Sequence, residues 1–436
     1  MKLYKYQEVG RDYLARNDRA LLADDPGLGK TAQTLKALVS GARVLIVCPL
    51  IAKGVWKKEA SMWVPDFSFY DIKNKKLFRW PVANEICTVT YDNLPSKIPI
   101  DVPTGLVVVL EECHIVKNQK AKRTKKVREL CALTRLISGN RVWGLSGTPI
   151  LSSPADLWNV LEAIGLSKRM YKNKKTFVSM HGGELVHRFM GLQSFYVYEW
   201  GGKISPEAKR IFNKYCLRRK KEDVLADLPD KIYDNIILPL DYDKDKACKN
   251  FEELLKSSNI TIGDLECKIS ESSYFKDIDI SELAKARSLL ATSKIPAMVE
   301  YIEDMEEQGT PLVVFSAHRA PIDALKDRPG WCVITGNTCE TDRVSIVNRF
   351  QNGELKGVGA TIRAAGIALT LTKASRCLFV DREWTPALNR QAEDRLHRVG
   401  QKNSVQISTL VYNHPIELRV YDVLLRKQQY EKGVLE

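Results

Sequence analysis

The chain has 436 residues, 44% hydrophobic and 28% charged, with a formal net charge of +14. That length exceeds one ordinary core and predicts two or three domains, and no run approaches the roughly 18 apolar residues that span a bilayer. Ten cysteines without a CxxC pair exclude the usual zinc-ribbon and disulfide frameworks and predict reduced thiols. The opening MKLYKYQEVGRDYL lacks the apolar core of a signal peptide, so an intracellular protein is expected. The positive charge is regional. It concentrates in KNQKAKRTKKVR (117–128), SKRMYKNKK (167–175) and LRRKK (217–221), while acids collect at 241–282. Several basic runs on one chain favour a polyanion such as nucleic acid over a merely solvated face.

Residues 20–31, ALLADDPGLGKT, read as a short apolar strand, a break, and the start of a helix at GKTAQTLKALV. Glycines let the backbone wrap a phosphate, and the helix N-terminus presents free N–H groups with a partial positive charge. Asp24, Asp25, Pro26, Gly27, Leu28, Gly29, Lys30 and Thr31 are the candidate nucleotide cradle. Lys30 is placed to reach the outer phosphates and Thr31 to ligate magnesium. Asp24 stands where the usual pattern has its first glycine.

RVLIVCP (43–49) and ICTVTY (86–91) read as further strands, and LVVVLEECHIVKN (106–118) as a strand buried on both faces that ends in two adjacent carboxylates. Ligands of open α/β sheets bind just beyond the carboxyl ends of strands. With a phosphate loop upstream, Glu111 is the candidate magnesium ligand and Glu112 the group that orients and deprotonates the attacking water. Cys113 reads as a small buried residue rather than a redox centre.

A second strand–helix alternation begins near residue 294, with PLVVFSAHRAPIDAL (311–325) as strand then helix and WCVITG (331–336), RCLFVD (376–381) and VQISTLVY (405–412) as strands. The segment between the halves reads as mostly helical, with an aromatic cluster at FYVYEW (195–200). The terminal PIELRVYDVLLRKQQYEKGVLE reads as a helix. If 391–398 is helical, Gln391, Arg395 and Arg398 fall within about 60° of one another, with Leu388, Ala392, Leu396 and Val399 on the adjoining apolar arc. His397 lies on another arc and reads as structural. Trp384 is expected in the core rather than on nucleic acid.

ADDPGLGKT, LEECHIVKN and GLSGTPI (144–150) resemble the first core motifs of the Swi/Snf branch of superfamily II helicase-type ATPases. LRRKKEDVLADLPDK (217–231) is similar to a segment of that branch, and AAGIALTLTKASRCLFVDREWTPALNRQAEDRLHRVGQ (364–401) follows it without a gap. In size the chain is similar to the compact fork-remodelling and strand-annealing members. The resemblance implies two RecA-like α/β lobes with parallel sheets and helical protrusions. It places the first ATP-binding lobe at 1–150, its protrusion at 151–235, the second protrusion and linker at 236–293, and the second lobe with its terminal helix at 294–436. It also implies ATP and Mg2+ as cofactors, with Gln7 on the adenine edge and Gly366 and Thr370 near the phosphates. Gln391, Arg395 and Arg398 become catalytic, the arginines neutralising γ-phosphate charge, and the hydroxyls of Ser146 and Thr148 relay nucleotide state. The family aspartate is Glu111 here, one methylene longer, which implies looser metal geometry. The expected activity is ATP-driven translocation on double-stranded or branched DNA by a monomeric motor, cytoplasmic in a bacterial or viral source and nuclear in a eukaryotic one. A strand-separating helicase and a nucleotide-gated binding module of weak turnover are the alternative readings.

Overall fold

The computed structural model describes residues 2–150, 153–190, 193–200, 203–225, 227–238, 280–366, 369–413 and isolated positions between 417 and 429. The chain divides into two compact units, the first reaching to Ala226 and the second beginning at Asp227.

The first unit is built on β1 (Arg19–Leu22), β2 (Arg43–Cys48), β3 (Ser68–Ile72), β4 (Glu85–Thr90), β5 (Leu106–Glu111) and β6 (Arg141–Leu145). An antiparallel hairpin, β7 (Gly183–Met190) with β8 (Gln193–Trp200), follows, and then β9 (Cys216–Leu217). All but the hairpin join one seven-stranded sheet in the order β3-β4-β2-β5-β6-β1-β9, with every pairing parallel. The apolar runs explain why the sheet is covered twice. In β5, Leu106, Val108 and Leu110 enter one core while Val107 and Val109 enter the core on the opposite face. Strand β2 splits the same way, Leu45 and Val47 against Val44, Ile46 and Cys48. This two-residue alternation is what a continuous Val/Leu/Ile strand gives when helices lie on both sides.

The second unit repeats the design with β10 (Lys231–Leu238), β11 (Leu312–Ser316), β12 (Trp331–Ile334), β13 (Gly357–Thr361), β14 (Arg376–Phe379) and β15 (Val405–Tyr412). The order is β10-β15-β14-β11-β13-β12, again parallel throughout. In β11, Val313 and Phe315 face one core and Leu312 and Val314 the other. Two parallel α/β sheets, the expected pair of RecA-like lobes, are therefore present.

Two details depart from the sequence reading. FYVYEW lies in β8 of the hairpin, not in a helix. The strand β10, whose first residues were expected in the first protrusion, pairs along its whole length with β15 of the second sheet. Residues 239–279 and most of the terminal segment, where the second protrusion and the last helix are expected, lie outside the described residues. Among the described residues no helix is long and apolar enough to cross a membrane.

Candidate active site

Strand β1 runs into the loop Ala23–Gly29, and the helix Lys30–Lys36 leaves it. Gly27 and Gly29 sit at φ of 89° and 73°, a left-handed backbone open to glycine at little cost. A side chain at Gly29 would also strike the Gln7 amide, whose Nε2 lies 2.4 Å from the Cβ position. Gln7, on the helix Lys5–Arg16, donates to the Leu28 carbonyl at 3.3 Å. The candidate adenine-edge residue thus lies directly on the phosphate loop. Lys30 Nζ donates to the carbonyls of Asp24 at 2.7 Å and Asp25 at 3.3 Å, bridging the base of the loop. Thr31 is half-buried in the first turn of the helix, and Pro26 packs against Gly147 of the β6 loop, 2.8 Å from where a Cβ would stand.

The two carboxylates close strand β5. Glu112 adopts φ 52°, ψ 50°, a left-handed conformation unusual for a residue with a side chain. Strain of this kind clusters at functional sites, and here it turns the chain sharply after the strand. Glu111 Oε2 is enclosed and accepts no hydrogen bond. Burial, and then the negative charge of Glu112, push the Glu111 carboxyl up, against the pull of Lys30. A carboxylate pair with an enclosed oxygen lacking a donor has the chemistry to hold a divalent cation. Glu111 fits a divalent cation on that ground. The Glu111 carbonyl accepts from the Tyr91 hydroxyl at 2.8 Å, which fixes the strand end.

His114, one residue past Cys113, ties this corner to the next motif. Its Nδ1 lies 3.3 Å from Glu112 Oε2 and 2.9 Å from Ser146 Oγ, and Ser146 Oγ accepts from the Thr148 amide at 3.1 Å. Cys113 is fully buried, its sulfur 3.2 Å from the Cβ position of Gly144. It is a packing residue.

The LRRKK stretch is not a solvent-facing basic patch. Arg218 pairs with Asp25 at 3.2 Å and donates to the Ala23 carbonyl at 2.9 Å, and Arg219 pairs with Asp24. Both clasp the phosphate loop. The clusters at 117–128 and 167–175 do keep exposed cations, among them Lys120, Lys122, Arg123, Lys125, Lys168, Lys172 and Lys175.

In the second unit the helix Pro386–Glu393 ends two residues before Arg395, so Gln391 lies on the helix while Arg395 and Arg398 lie in the turns beyond it. They do not share a helical face, and Val399 is exposed. The arginines still converge. Arg395 donates to the carbonyls of Gly366 at 3.0 Å and Gln391 at 3.0 Å, and Arg398 to the Leu369 carbonyl at 3.2 Å and the Thr370 hydroxyl at 2.9 Å. Gln391 Oε1 stands 3.2 Å from the Cβ position of Gly366. Gly366, Thr370, Gln391, Arg395 and Arg398 therefore form one cluster. His397 meets the Pro229 carbonyl at 2.7 Å, a structural contact, and Trp384 is half-buried beneath the Arg287 guanidinium, 4.7 Å from its ring centre.

Sequence reasoning passed over Tyr6, Gly10, Gln33, His114 and the inward aim of Arg218 and Arg219. The available signal was Gly10 inside an otherwise good helix, which announces a close neighbour.

A parallel sheet with a phosphate loop after one strand and paired carboxylates after another, followed by a second parallel sheet with an arginine cluster, defines the class of two-sheet helicase-type ATPases. The chain belongs to the SNF2-related family, whose domain model matches residues 6–286, with a helicase conserved C-terminal domain at 293–400. It is 30% identical to the "SWI/SNF-related matrix-associated actin-dependent regulator of chromatin subfamily A-like protein 1 homolog" of Caenorhabditis elegans, over 94% of this chain and 58% of that one. It is 27% identical to the human "DNA annealing helicase and endonuclease ZRANB3", over 100% of this chain and 40% of that one. An ATP-dependent helicase of Mycoplasma pneumoniae is 27% identical, over 98% of this chain and 42% of its own length. The chain spans about half the length of these curated relatives. A solved Sulfolobus solfataricus SWI2/SNF2 ATPase core in complex with double-stranded DNA is 22% identical with a TM-score of 0.40, covering 100% of this chain and 93% of that chain.

Proposed function

We propose that this protein hydrolyses ATP, with magnesium, to move along double-stranded or branched DNA, in repair, in the remodelling of replication forks or in recombination. The observation that carries the reading is that β1 and β5, parallel strands of one sheet, run at the same carboxyl edge into the loop that bears Lys30 and into the Glu111–Glu112 pair. In this reading Asp24 through Thr31 cradle the triphosphate, Lys30 neutralises its outer charge, and Gln7 meets the adenine edge. Thr31 and Glu111 hold magnesium, which when bound supplies charge neutralisation on the phosphates. Glu112 orients the attacking water and takes its proton. Gln391, Arg395 and Arg398 act as the catalytic group of the second unit, with Gly366 beside them. The name of the human relative, a DNA annealing helicase and endonuclease, supports DNA as the track. We place the motor inside the cell, acting as a monomer.

The test is ATP turnover by the purified full chain without DNA and with single-stranded, duplex and forked DNA, beside Lys30→Ala. Duplex or forked DNA should stimulate most, and Lys30→Ala should nearly abolish hydrolysis. Turnover by Lys30→Ala at the wild-type rate would overturn the site. DNA binding gated by ATP without measurable hydrolysis would leave a binding module in its place.

A further inference from the structure

Arg219 carries charge that the sequence assigns to a polyanion contact, yet its side chain is turned into the first unit. Its Nε donates to Asp24 Oδ1 at 2.9 Å, and one terminal nitrogen closes on the other oxygen of the same carboxylate. That nitrogen also donates to Gln33 Oε1 at 2.8 Å. The second terminal nitrogen donates to the Tyr6 carbonyl, and the guanidinium lies 5.5 Å over the Tyr6 ring. Asp24 is fully buried. Gln33 returns the contacts, donating to Asp24 Oδ2 at 3.2 Å and to the Leu28 carbonyl at 3.0 Å, the same carbonyl that Gln7 reaches. The Asp24 carbonyl in turn accepts from Lys30.

One guanidinium thus ties together Asp24 of the phosphate loop, the helix that follows the loop, and the helix that bears Gln7. The approach is close enough to dictate a glycine. A Cβ at Gly10 would stand 1.7 Å from Gln33 Oε1 and 2.8 Å from an Arg219 nitrogen. Glycine inside a helix is destabilising, so its place here answers to the network. Arginine suits the position because its planar fork can serve a carboxylate, an amide oxygen and a carbonyl at once, which a lysine ammonium on a flexible stem cannot reproduce.

We propose that Arg219 is a positioning residue for nucleotide binding, fixing the phosphate loop through Asp24 and setting its spacing from the Gln7 helix through Tyr6 and Gln33. This rests on the ATP reading above. Asp24, in the place of the usual glycine, then serves as the loop's anchor. Arg219 touches no reacting atom and acts through these partners.

The experiment compares full-length wild type with Arg219→Met, Arg219→Lys and Gly10→Ala, the last of which keeps every charge but forces the network apart. Binding of a fluorescent ATP analogue, its displacement by inorganic triphosphate, steady-state KM and kcat, and duplex DNA affinity without nucleotide are measured well below each variant's melting temperature. Arg219→Met and Gly10→Ala should raise KM and the analogue Kd by roughly tenfold to a hundredfold. DNA affinity should stay near wild type, kcat should fall less than KM rises, and Arg219→Lys should recover part of the loss. Inorganic triphosphate should weaken along with the analogue, since the loop itself is displaced. Folded Arg219→Met and Gly10→Ala variants with wild-type KM and Kd would overturn the proposal, as would parallel loss of nucleotide and DNA binding. If the wild type binds the analogue without hydrolysing it, the ATPase reading fails while the positioning role is still decided by binding. A wild type that binds no nucleotide overturns both.

Discussion

The Nδ1 of His114 stands 2.9 Å from the Oγ of Ser146. The same nitrogen lies 3.3 Å from Glu112 Oε2, so one imidazole stands beside both the carboxylate that would activate water and the loop after β6. A single hydrogen bond of this kind contributes about 1 kcal/mol net, roughly a fivefold effect on an equilibrium. Ser146→Ala should therefore keep DNA-free hydrolysis within about fivefold of wild type. If Ser146 relays nucleotide state, DNA-stimulated turnover and strand migration should fall further. Paired ATPase and branch-migration assays check it, and equal loss in both would remove the relay.

The adjacent carboxylates are separable by substitution. Glu112→Gln should bind ATP and fail to turn it over, because an amide takes no proton from water. Glu111→Asp should keep activity, since the carboxylate is retained and only one methylene is lost. Nucleotide binding measured beside turnover separates the cases. A dead Glu111→Asp together with a fully active Glu112→Gln would reverse the assigned roles.

Arg395 and Arg398 differ in their surroundings although both donate to Leu369, with Gly366 held by the first and Thr370 by the second. Arg395 is buried at 8% exposure, while Arg398 is half-buried. Replacing either by alanine should cut turnover by roughly 10³-fold while ATP binding stays near wild type, if they neutralise transition-state charge. Arg395→Ala should also lower the melting temperature, because three backbone carbonyls lose a buried donor. Turnover, nucleotide affinity and thermal unfolding of both variants form the check. Loss of binding in step with turnover would point to ground-state contacts.

Much of this architecture can be read from residues alone, for a physical reason. Strands such as RVLIVC and LVVVLE are apolar on both faces, and GLGKT before a helix has few other uses. Strand β13, GVGAT, escapes such a reading because glycines are poor strand formers. Its glycines answer to tertiary packing, Gly357 to the Trp331 ring 2.3 Å from the Cβ position and Gly359 to Leu325 at 2.9 Å. The helix end at Glu393 is equally hidden, since carbonyls far upstream hold the turns that follow. LRRKK shows why charge runs mislead. Sequence gives the sign of a guanidinium and not its direction, and Asp24 and Asp25 lie far from it along the chain.

His181 offers a pH prediction. It is buried, stacked on Phe177 at 3.9 Å, with Nδ1 2.9 Å from the Phe177 carbonyl. Burial holds its imidazole neutral, lowering the pKa to about 4. The folded value lies below the ordinary 6.5, so this contribution is fully present above pH 6.5 and is lost as pH falls toward 4. At 1.36 kcal/mol per unit the loss reaches about 3 kcal/mol. Thermal unfolding of the first unit should show lower stability at pH 5 than at pH 7.5, and His181→Leu should flatten that slope. An unchanged slope in the variant would assign the pH dependence elsewhere.

The exposed cations of the first unit bear on the track. Lys122, Arg123 and Lys125 project from the start of the helix Lys122–Leu136, and Lys120 precedes it, while Arg218 and Arg219 are occupied by the phosphate loop. Contacts to phosphate give affinity without sequence information, and each one lost should reduce the salt dependence of binding by about one counterion. Lys122→Gln with Lys125→Gln should therefore weaken DNA binding evenly across sequences and flatten its dependence on salt, with ATP affinity untouched. If the track is an intact duplex, duplex and forked DNA should stimulate wild-type hydrolysis more than single strands or RNA. The motor should then displace a third strand from a triplex or migrate a branch while separating a tailed duplex poorly. Running these substrates side by side at moderate salt decides the matter. Robust unwinding of the tailed duplex, with stimulation by single strands alone, would move the protein to the strand-separating helicases.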